Sequence, residues 1–186
     1  KTPVTIIAID DFSLTQAANA DLSPNPLLRS LQTWPWPREV YGVVLDRLYG
    51  AGARAVAVDL LFDAPSSRGA DGDLELAAAL RRHHPRTVMA AQVLESRGDV
   101  AGLALSLPLS PLKDAAGAGA IGLLNGPMEP DGSIRRRPGD YATDLRLQLG
   151  PSVPDSLGRA LMRAGDLRDR AASPPLPGTW VGLLSP

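Results

Sequence analysis

The sequence predicts an α/β fold, in which a mostly parallel sheet is built from βαβ units with flanking helices and an antiparallel C-terminal part. Residues 4–11 and 54–62 are runs of β-branched and other apolar residues, which is typical of parallel strands buried on both faces. The residues between these runs carry a helical repeat from Pro37 onward. A strand, a crossover helix and a second strand form a right-handed βαβ unit.

The crossover helix is predicted from the pattern that begins at Pro37. Proline suits the first helical position, where its missing N–H has no partner to lose, and Glu39 is favourable near the positive end of the helix dipole. The apolar face of this helix comprises Val40, Val44, Leu45 and Leu48. Gly50 and Gly52 are predicted to end it.

The pattern of strand and helix then repeats along the chain. Residues 73–83 predict a second helix and residues 86–94 a third strand. Proline near its start predicts a short helix at residues 110–116, and an apolar run predicts a fourth strand at residues 119–125.

The C-terminal third is predicted to leave the parallel pattern. Residues 133–137 and 144–150 are expected to pair as antiparallel strands, because the second segment alternates apolar and polar side chains. A helix is expected at residues 152–164, a flexible loop at 165–178 and one last strand at 179–186. We expect one domain over residues 1–186 that continues beyond the end of this sequence.

Composition excludes several functions. The chain has 186 residues, is 44% hydrophobic and carries a formal net charge of −1, so nothing indicates a nucleic-acid-binding surface. It has no cysteine, which excludes disulfides, thiol catalysis and cysteine-bound metals. No apolar run reaches the ~18 residues of a membrane span.

Candidate ligand-binding residues lie where the predicted strands end, because open parallel sheets bind ligands beyond the carboxyl ends of their strands. They are Asp10, Asp11, Asp59 and Asn125, with Arg38 and Arg135 as the cations that would offset the carboxylates. Asp10 and Asp59 are also weak candidates for an oxygen-ligand metal site. The alternative is that these acids cap helices and bind loop N–H groups.

The segment "TWPWPRE" at residues 33–39 is the other candidate site. Proline restricts each tryptophan to extended geometry. One interpretation is that the indoles plug the end of the sheet and fix the entry of the crossover helix. The other is that Trp36 or Arg38 faces the ends of the strands and stacks on or pairs with a ligand.

Four motifs occur in an order that resembles the CHASE2 sensory domain family. They are "AIDDFSL" at residues 8–14, "WPWPREVYGVVLDRLYGAGARAVAVDLLF" at 34–62, "DLELAAAL" at 73–80 and "EPDGSIRRRP" at 129–138. The resemblance covers roughly residues 4–164, and the combination of the Trp-Pro-Trp-Pro-Arg block with the strand that follows it is its most specific part.

The resemblance implies a non-enzymatic, extracytoplasmic sensor on the outer face of a bacterial inner membrane. Such a sensor is tethered between membrane helices, and its polypeptide also carries a cytoplasmic output domain such as an adenylate or diguanylate cyclase, a histidine kinase or a Ser/Thr kinase. No catalytic residue and no cofactor are expected. The partner would be an unknown small molecule or a component of the cell envelope, and the related output enzymes imply a homodimer.

Two other functions remain open at the level of sequence. One is a metal-dependent phosphohydrolase or phosphotransferase that uses Asp10, Asp11 and Asp59. The other is a protein-interaction domain of the envelope that binds a partner without switching.

Overall fold

A computed structural model describes residues 4–18, 25–96, 102–129 and 131–167. Its helices, in chain order, are α1 (Asp11–Ala18), α2 (Pro26–Ser30), α3 (Arg38–Gly50), α4 (Ala70–Arg82), α5 (Ser110–Ala116), α6 (Pro138–Leu149) and α7 (Leu157–Ala164). Its strands are β1 (Val56–Val58), β2 (Thr87–Ser96), β3 (Gly102–Ser106) and β4 (Ile121–Leu123). None of the described helices is both long enough and apolar enough to cross a membrane.

The long strand β2 organises the sheet. Its first half lies between β1 and β4 and is parallel to both, so that Met89 pairs with Val58 on one side and with Ile121 on the other. Its second half pairs antiparallel with β3. The predicted α/β class and mostly parallel sheet are therefore confirmed.

Helices cover both faces of the sheet. Helix α4 packs between α3 and α5 on one face, and its buried residues Asp73, Leu76, Ala77 and Leu80 follow the helical spacing of three and four. Helix α7 packs on β2 and β4. It lies so close that a Cβ at Gly122 would fall 2.5 Å from the Cα of Leu157. Glycine at this position in β4 allows α7 to approach the sheet.

The predicted first strand, at residues 4–11, is wrong. Residues 4–10 form no strand, and α1 begins at Asp11. The segment is exposed, with Ile6 accessible over 87% of its surface. Its β-branched composition favours extended backbone, but a strand also needs a neighbour, and no described strand pairs with it.

The predicted pairing of residues 133–137 with 144–150 is also wrong. The second segment belongs to α6, in which Ala142 and Leu145 are buried at helical spacing while Leu147 is 83% exposed. Helix α6 ends at Leu149 and is capped by Gly150, whose φ of +93° suits glycine. Ile134 instead forms an antiparallel bridge with Met128. The larger antiparallel pairing is between β2 and β3, and the sequence patterns do not predict β3.

The remaining predicted elements differ in accuracy at their ends. Helix α5 has the predicted bounds, whereas β1 and β4 are shorter than the runs that predicted them. On α3, Val40 and Leu45 are buried as expected, but Val44 is 42% exposed and Tyr41 is buried in its place. The predicted loop at 165–178 is described only as far as Leu167, and the predicted last strand lies outside the described residues.

Candidate functional site

A buried ion pair joins the first residue of α3 to the first turn of α4. The guanidinium Nη1 of Arg38 contacts Oδ1 of Asp73, and the two side chains are only 11% and 5% exposed. Ser66 donates its N–H to the other carboxylate oxygen at 3.1 Å. Arg38 also donates to the carbonyl of Ala64 and lies 4.9 Å from the ring centroid of Phe62. Both charges are therefore paired and satisfied on several sides.

A second arginine fastens the Trp-Pro-Trp-Pro turn to the loop between β1 and α4. Arg68 donates from Nε to the carbonyl of Pro35 at 3.1 Å and from Nη2 to the carbonyl of Thr33 at 2.9 Å. It also contacts the hydroxyl of Thr33. The turn and the loop are thus linked by charge-assisted hydrogen bonds to backbone carbonyls, which fix the path of the turn more firmly than neutral bonds do.

The two tryptophans of the turn have different surroundings. Their rings meet edge to face, with centroids 5.6 Å apart. Trp34 is 53% exposed, whereas Trp36 is half-buried and packs against the core cluster that contains Tyr41 and Leu76. The indole Nε1 of Trp36 is buried and has no hydrogen-bond partner among the described residues. Trp36 therefore packs on the core, as the plug interpretation expects, and its role in stacking on a ligand stays a prediction.

We call Trp36, Arg38, Arg68 and Asp73 the Trp-Arg site. Beside it lies an open cavity of about 320 Å³ between the first turns of α3 and α4. The cavity is lined by Ser30, Pro37, Glu39, Ser66, Arg68, Gly69, Asp71, Gly72 and Glu75. Three of these residues are acidic and one is basic, so the lining favours a neutral or cationic polar molecule over an anion.

Gly72 determines the shape of this cavity. A Cβ there would lie 2.8 Å from the carboxylate of Glu39 and 3.6 Å from the backbone nitrogen of Arg38. Even a methyl group at this position would therefore push the Glu39 side chain aside. The absence of a side chain at residue 72 keeps the space between the two helix starts open.

The acidic residues predicted to form the site have local partners. Asp10 accepts hydrogen bonds from the N–H and hydroxyl of Ser13 at 2.8 and 2.7 Å, so it caps α1, and these bonds lower its pKa. Asp11 is the first residue of α1, and Asp59 is exposed just after β1. No cluster of three or more histidine or acidic residues suited to a metal occurs among the described residues. A ligand-binding role for these three acids stays a prediction.

The other two candidates also bind protein groups. The side-chain amide of Asn125 accepts from the N–H of Val93 at 2.6 Å and donates to its carbonyl at 2.8 Å, which extends the pairing of β4 with β2. Arg135 donates twice to Asp131, and this interaction holds the Asp131 pKa well below its usual range. Trp36 and Arg38 both lie against the core cluster that contains Phe62, and a ligand-binding role for each predicted site residue stays a prediction.

Sequence reasoning misses Asp73 and Arg68. The sequence pattern marks Asp73 only as an acid at a helix start, although it lies at the spacing of the buried residues of α4. A carboxylate on the buried face of a helix needs a cation, and that requirement is a usable signal. Arg68 has no such signal, because its partners are backbone carbonyls 33 and 35 residues earlier in the chain.

The molecule is an α/β domain in which a polar cavity lies beside a buried ion pair, at the starts of two packed helices. The CHASE2 domain family matches residues 1–179, and the chain belongs to that family. CHASE2 domains are extracellular sensory domains of signalling receptors and are not catalytic domains. No curated protein and no solved structure matches the chain.

Proposed function

We propose that this domain is the extracytoplasmic sensory module of a bacterial membrane receptor. It would respond to a small molecule or an envelope component and pass the change through membrane helices to a cytoplasmic cyclase or kinase in the same polypeptide. Membership of the CHASE2 family is the observation that carries this proposal. The domain itself would have no catalytic activity and need no cofactor.

The cavity beside the Trp-Arg site is our candidate for the sensory pocket. It opens between α3 and α4, which pack so closely that a Cβ on Gly42 would lie 3.2 Å from the Cβ of Ala79. A molecule between the first turns of these helices would bias their packing, and packed interfaces change between discrete arrangements more readily than they deform. The acidic lining supports a neutral or cationic polar ligand.

The Trp-Arg site would relay such a change toward the N-terminal region. Arg68 both lines the cavity and binds the carbonyls of Thr33 and Pro35. A polar ligand that accepts a hydrogen bond from the Arg68 guanidinium through a hydroxyl or carbonyl oxygen would weaken its hold on the turn. The ligand would then stabilise one of two positions of the turn, which is the differential affinity that a sensor requires.

The pocket is tested by Gly72→Ala, with Gly158→Ala as the matched control. Both glycines lie in helices, but a Cβ at Gly158 would meet nothing within 4 Å. The purified chain is screened by thermal shift against small polar amines, sugars, metabolites and divalent cations, since a ligand of the native state raises the melting temperature. We expect a ligand whose apparent affinity Gly72→Ala reduces at least about tenfold and Gly158→Ala leaves unchanged.

A ligand-induced shift that survives Gly72→Ala would place the pocket elsewhere in the domain. The proposed receptor architecture is tested separately, by sequencing the complete reading frame that encodes this chain. We expect hydrophobic spans beside the domain and a cyclase or kinase domain beyond them. An alkaline phosphatase fusion within this chain should be active, because that reporter folds only outside the cytoplasm; an inactive fusion would contradict the extracytoplasmic location.

A further inference from the structure

An apolar segment near the N-terminus lies exposed. Val4, Ile6, Ile7 and Ile9 are accessible over 76, 87, 62 and 37% of their surfaces. Four of the six residues from 4 to 9 are β-branched and apolar, a composition that suits a strand packed on both faces. Single exposed apolar residues are common on protein surfaces, but a continuous run of this kind marks an interaction site.

The sheet has an open edge of matching chemistry. Strand β1 pairs with β2 on one side, and no described strand lies on its other side. Val56 donates its N–H to the carbonyl of Arg86 at 3.0 Å, on the side of β2. Because alternate residues of a strand point their backbone groups to opposite sides, Ala57 directs its N–H and C=O toward the open edge. Exposed edges of this kind accept an added strand.

We propose that residues 4–9 of one copy add as an outer strand to the open edge of β1 in a second copy, which forms a reciprocal strand-exchanged dimer. The segment does not occupy this edge in its own chain, where its side chains are exposed. Addition would give partners to the backbone groups of Ala57, which pair with no described strand on this side, and would cover Val56 and Val58, which are only half-buried. This inference does not depend on the sensory function proposed above.

The buried area agrees with a dimer of two identical copies. The four apolar residues of the segment expose on the order of 450 Å² in each copy. A two-fold exchange that covers both segments and both β1 edges buries about 1,000 Å², the lower size limit of a specific interface. A two-fold arrangement also uses the same two surfaces in both copies, which closes the assembly at two.

Disulfide trapping between two differently tagged chains tests the exchange. The chain has no cysteine of its own, so each introduced thiol is unique. One chain carries Ala57→Cys; the other carries Ile6→Cys or Ile7→Cys, because neighbouring strand residues point to opposite faces and one of them must share the face of Ala57. We expect one of the two mixtures to cross-link into a heterodimer under mild oxidation. Leu147→Cys, at an exposed position on α6, is the control partner.

Two results of the trapping experiment would overturn the proposal. One is heterodimer formation no greater than that of the Leu147→Cys control. The other is a disulfide that forms only within a single chain carrying both Ala57→Cys and Ile6→Cys or Ile7→Cys, and that leaves the chain monomeric. That result would show that the segment docks on its own sheet.

The oligomeric state gives a second, independent test. We expect light scattering to report a dimer of the 19.6 kDa chain. Ile6→Asp should raise the dimer dissociation constant at least about tenfold, because the added carboxylate would be buried at the interface. Leu147→Asp introduces the same charge at another exposed apolar residue and should leave the dimer intact. A monomeric parent chain, or equal effects of the two substitutions, would refute the exchange.

Discussion

Replacing Asp73 by asparagine tests whether the buried ion pair holds the Trp-Arg site together. The substitution keeps the size of the side chain and its capacity to accept the N–H of Ser66, but it removes the charge that faces Arg38. Arg38 would then be a cation that is 11% exposed and has lost its carboxylate. The carbonyl of Ala64 and the ring of Phe62 would be its remaining partners.

The expected effect follows from this burial. Removing one partner of a buried ion pair destabilises a protein by about 3–5 kcal/mol, and the partners that Arg38 retains place the effect near the lower end, at about 3 kcal/mol. For a chain of this size, that corresponds to a melting temperature lower by about 6–12 °C. Urea unfolding gives the free energy of unfolding, and in a Trp180→Phe background the fluorescence of Trp34 and Trp36 reports on the site itself.

Asp71→Asn is the control for this prediction. Asp71 is in the same first turn of α4 as Asp73, so both substitutions remove the same favourable interaction with the helix dipole. Asp71 is exposed, however, and its substitution should change stability by less than about 0.5 kcal/mol. Equal effects of the two substitutions would refute the reasoning, because the loss would then come from the helix end and not from the ion pair.

Two further predictions concern Trp36 and Asp155. Trp36→Phe should leave the free energy of unfolding within about 1 kcal/mol of the parent, because it keeps the packing and removes the indole N–H that has no described partner. Trp36→Ala should lower the free energy of unfolding by about 2–3 kcal/mol, and equal losses for the two substitutions in urea unfolding would contradict a packing role for the indole. Burial opposes the ionisation of Asp155, but hydrogen bonds from Arg163 and the Ser156 N–H lower its pKa overall. The ionised carboxylate of Asp155 therefore stabilises the fold above about pH 4, the pKa of an aspartate in the unfolded chain, and this stabilisation is lost as the pH falls through the lower pKa of the folded state. Asp155→Asn should thus flatten the acid side of a plot of melting temperature against pH and leave the shape of the alkaline side unchanged.

The elements that the sequence predicts well are those whose evidence is local. Helix α4 is predictable because Leu76, Ala77 and Leu80 follow one helical face, and α5 because Pro111 lies in its first turn. Helix α6 escapes prediction because Leu145, Leu147 and Leu149 alternate as in a strand, although only Leu145 and Leu149, four residues apart, meet the core and Leu147 is exposed. Spacing alone cannot decide which of the three leucines meet the core, since this depends on where the rest of the chain lies.

Long-range pairing explains the other failures. Residues 4–9 have the composition of a buried strand, yet pairing needs a partner edge, and the edge of β1 is more than 45 residues away in the chain. The same applies to the site: the motif identifies Arg38, but its carboxylate partner is 35 residues later. The predicted cluster of Asp10, Asp59 and Asn125 assumes that residues 4–11 form a strand beside β1, and without that strand Asp10 caps α1.

Residues 10–32, which include α1 and α2, connect the exposed N-terminal segment to the turn of the Trp-Arg site. Residues 4–9 lead into α1, and the chain reaches the sheet through the turn that Arg68 and Arg38 fasten. We propose that a ligand that changes the hold of Arg68 on Thr33 and Pro35 would also change where residues 4–9 can reach. If that region also joins two copies, ligand binding and strand exchange must affect each other's equilibrium by the same factor. The dimer dissociation constant is measured with and without a ligand of the cavity. The two values should differ by the same factor as the affinities of the ligand for the dimer and for the monomer. Identical dissociation constants would show that the two sites are uncoupled.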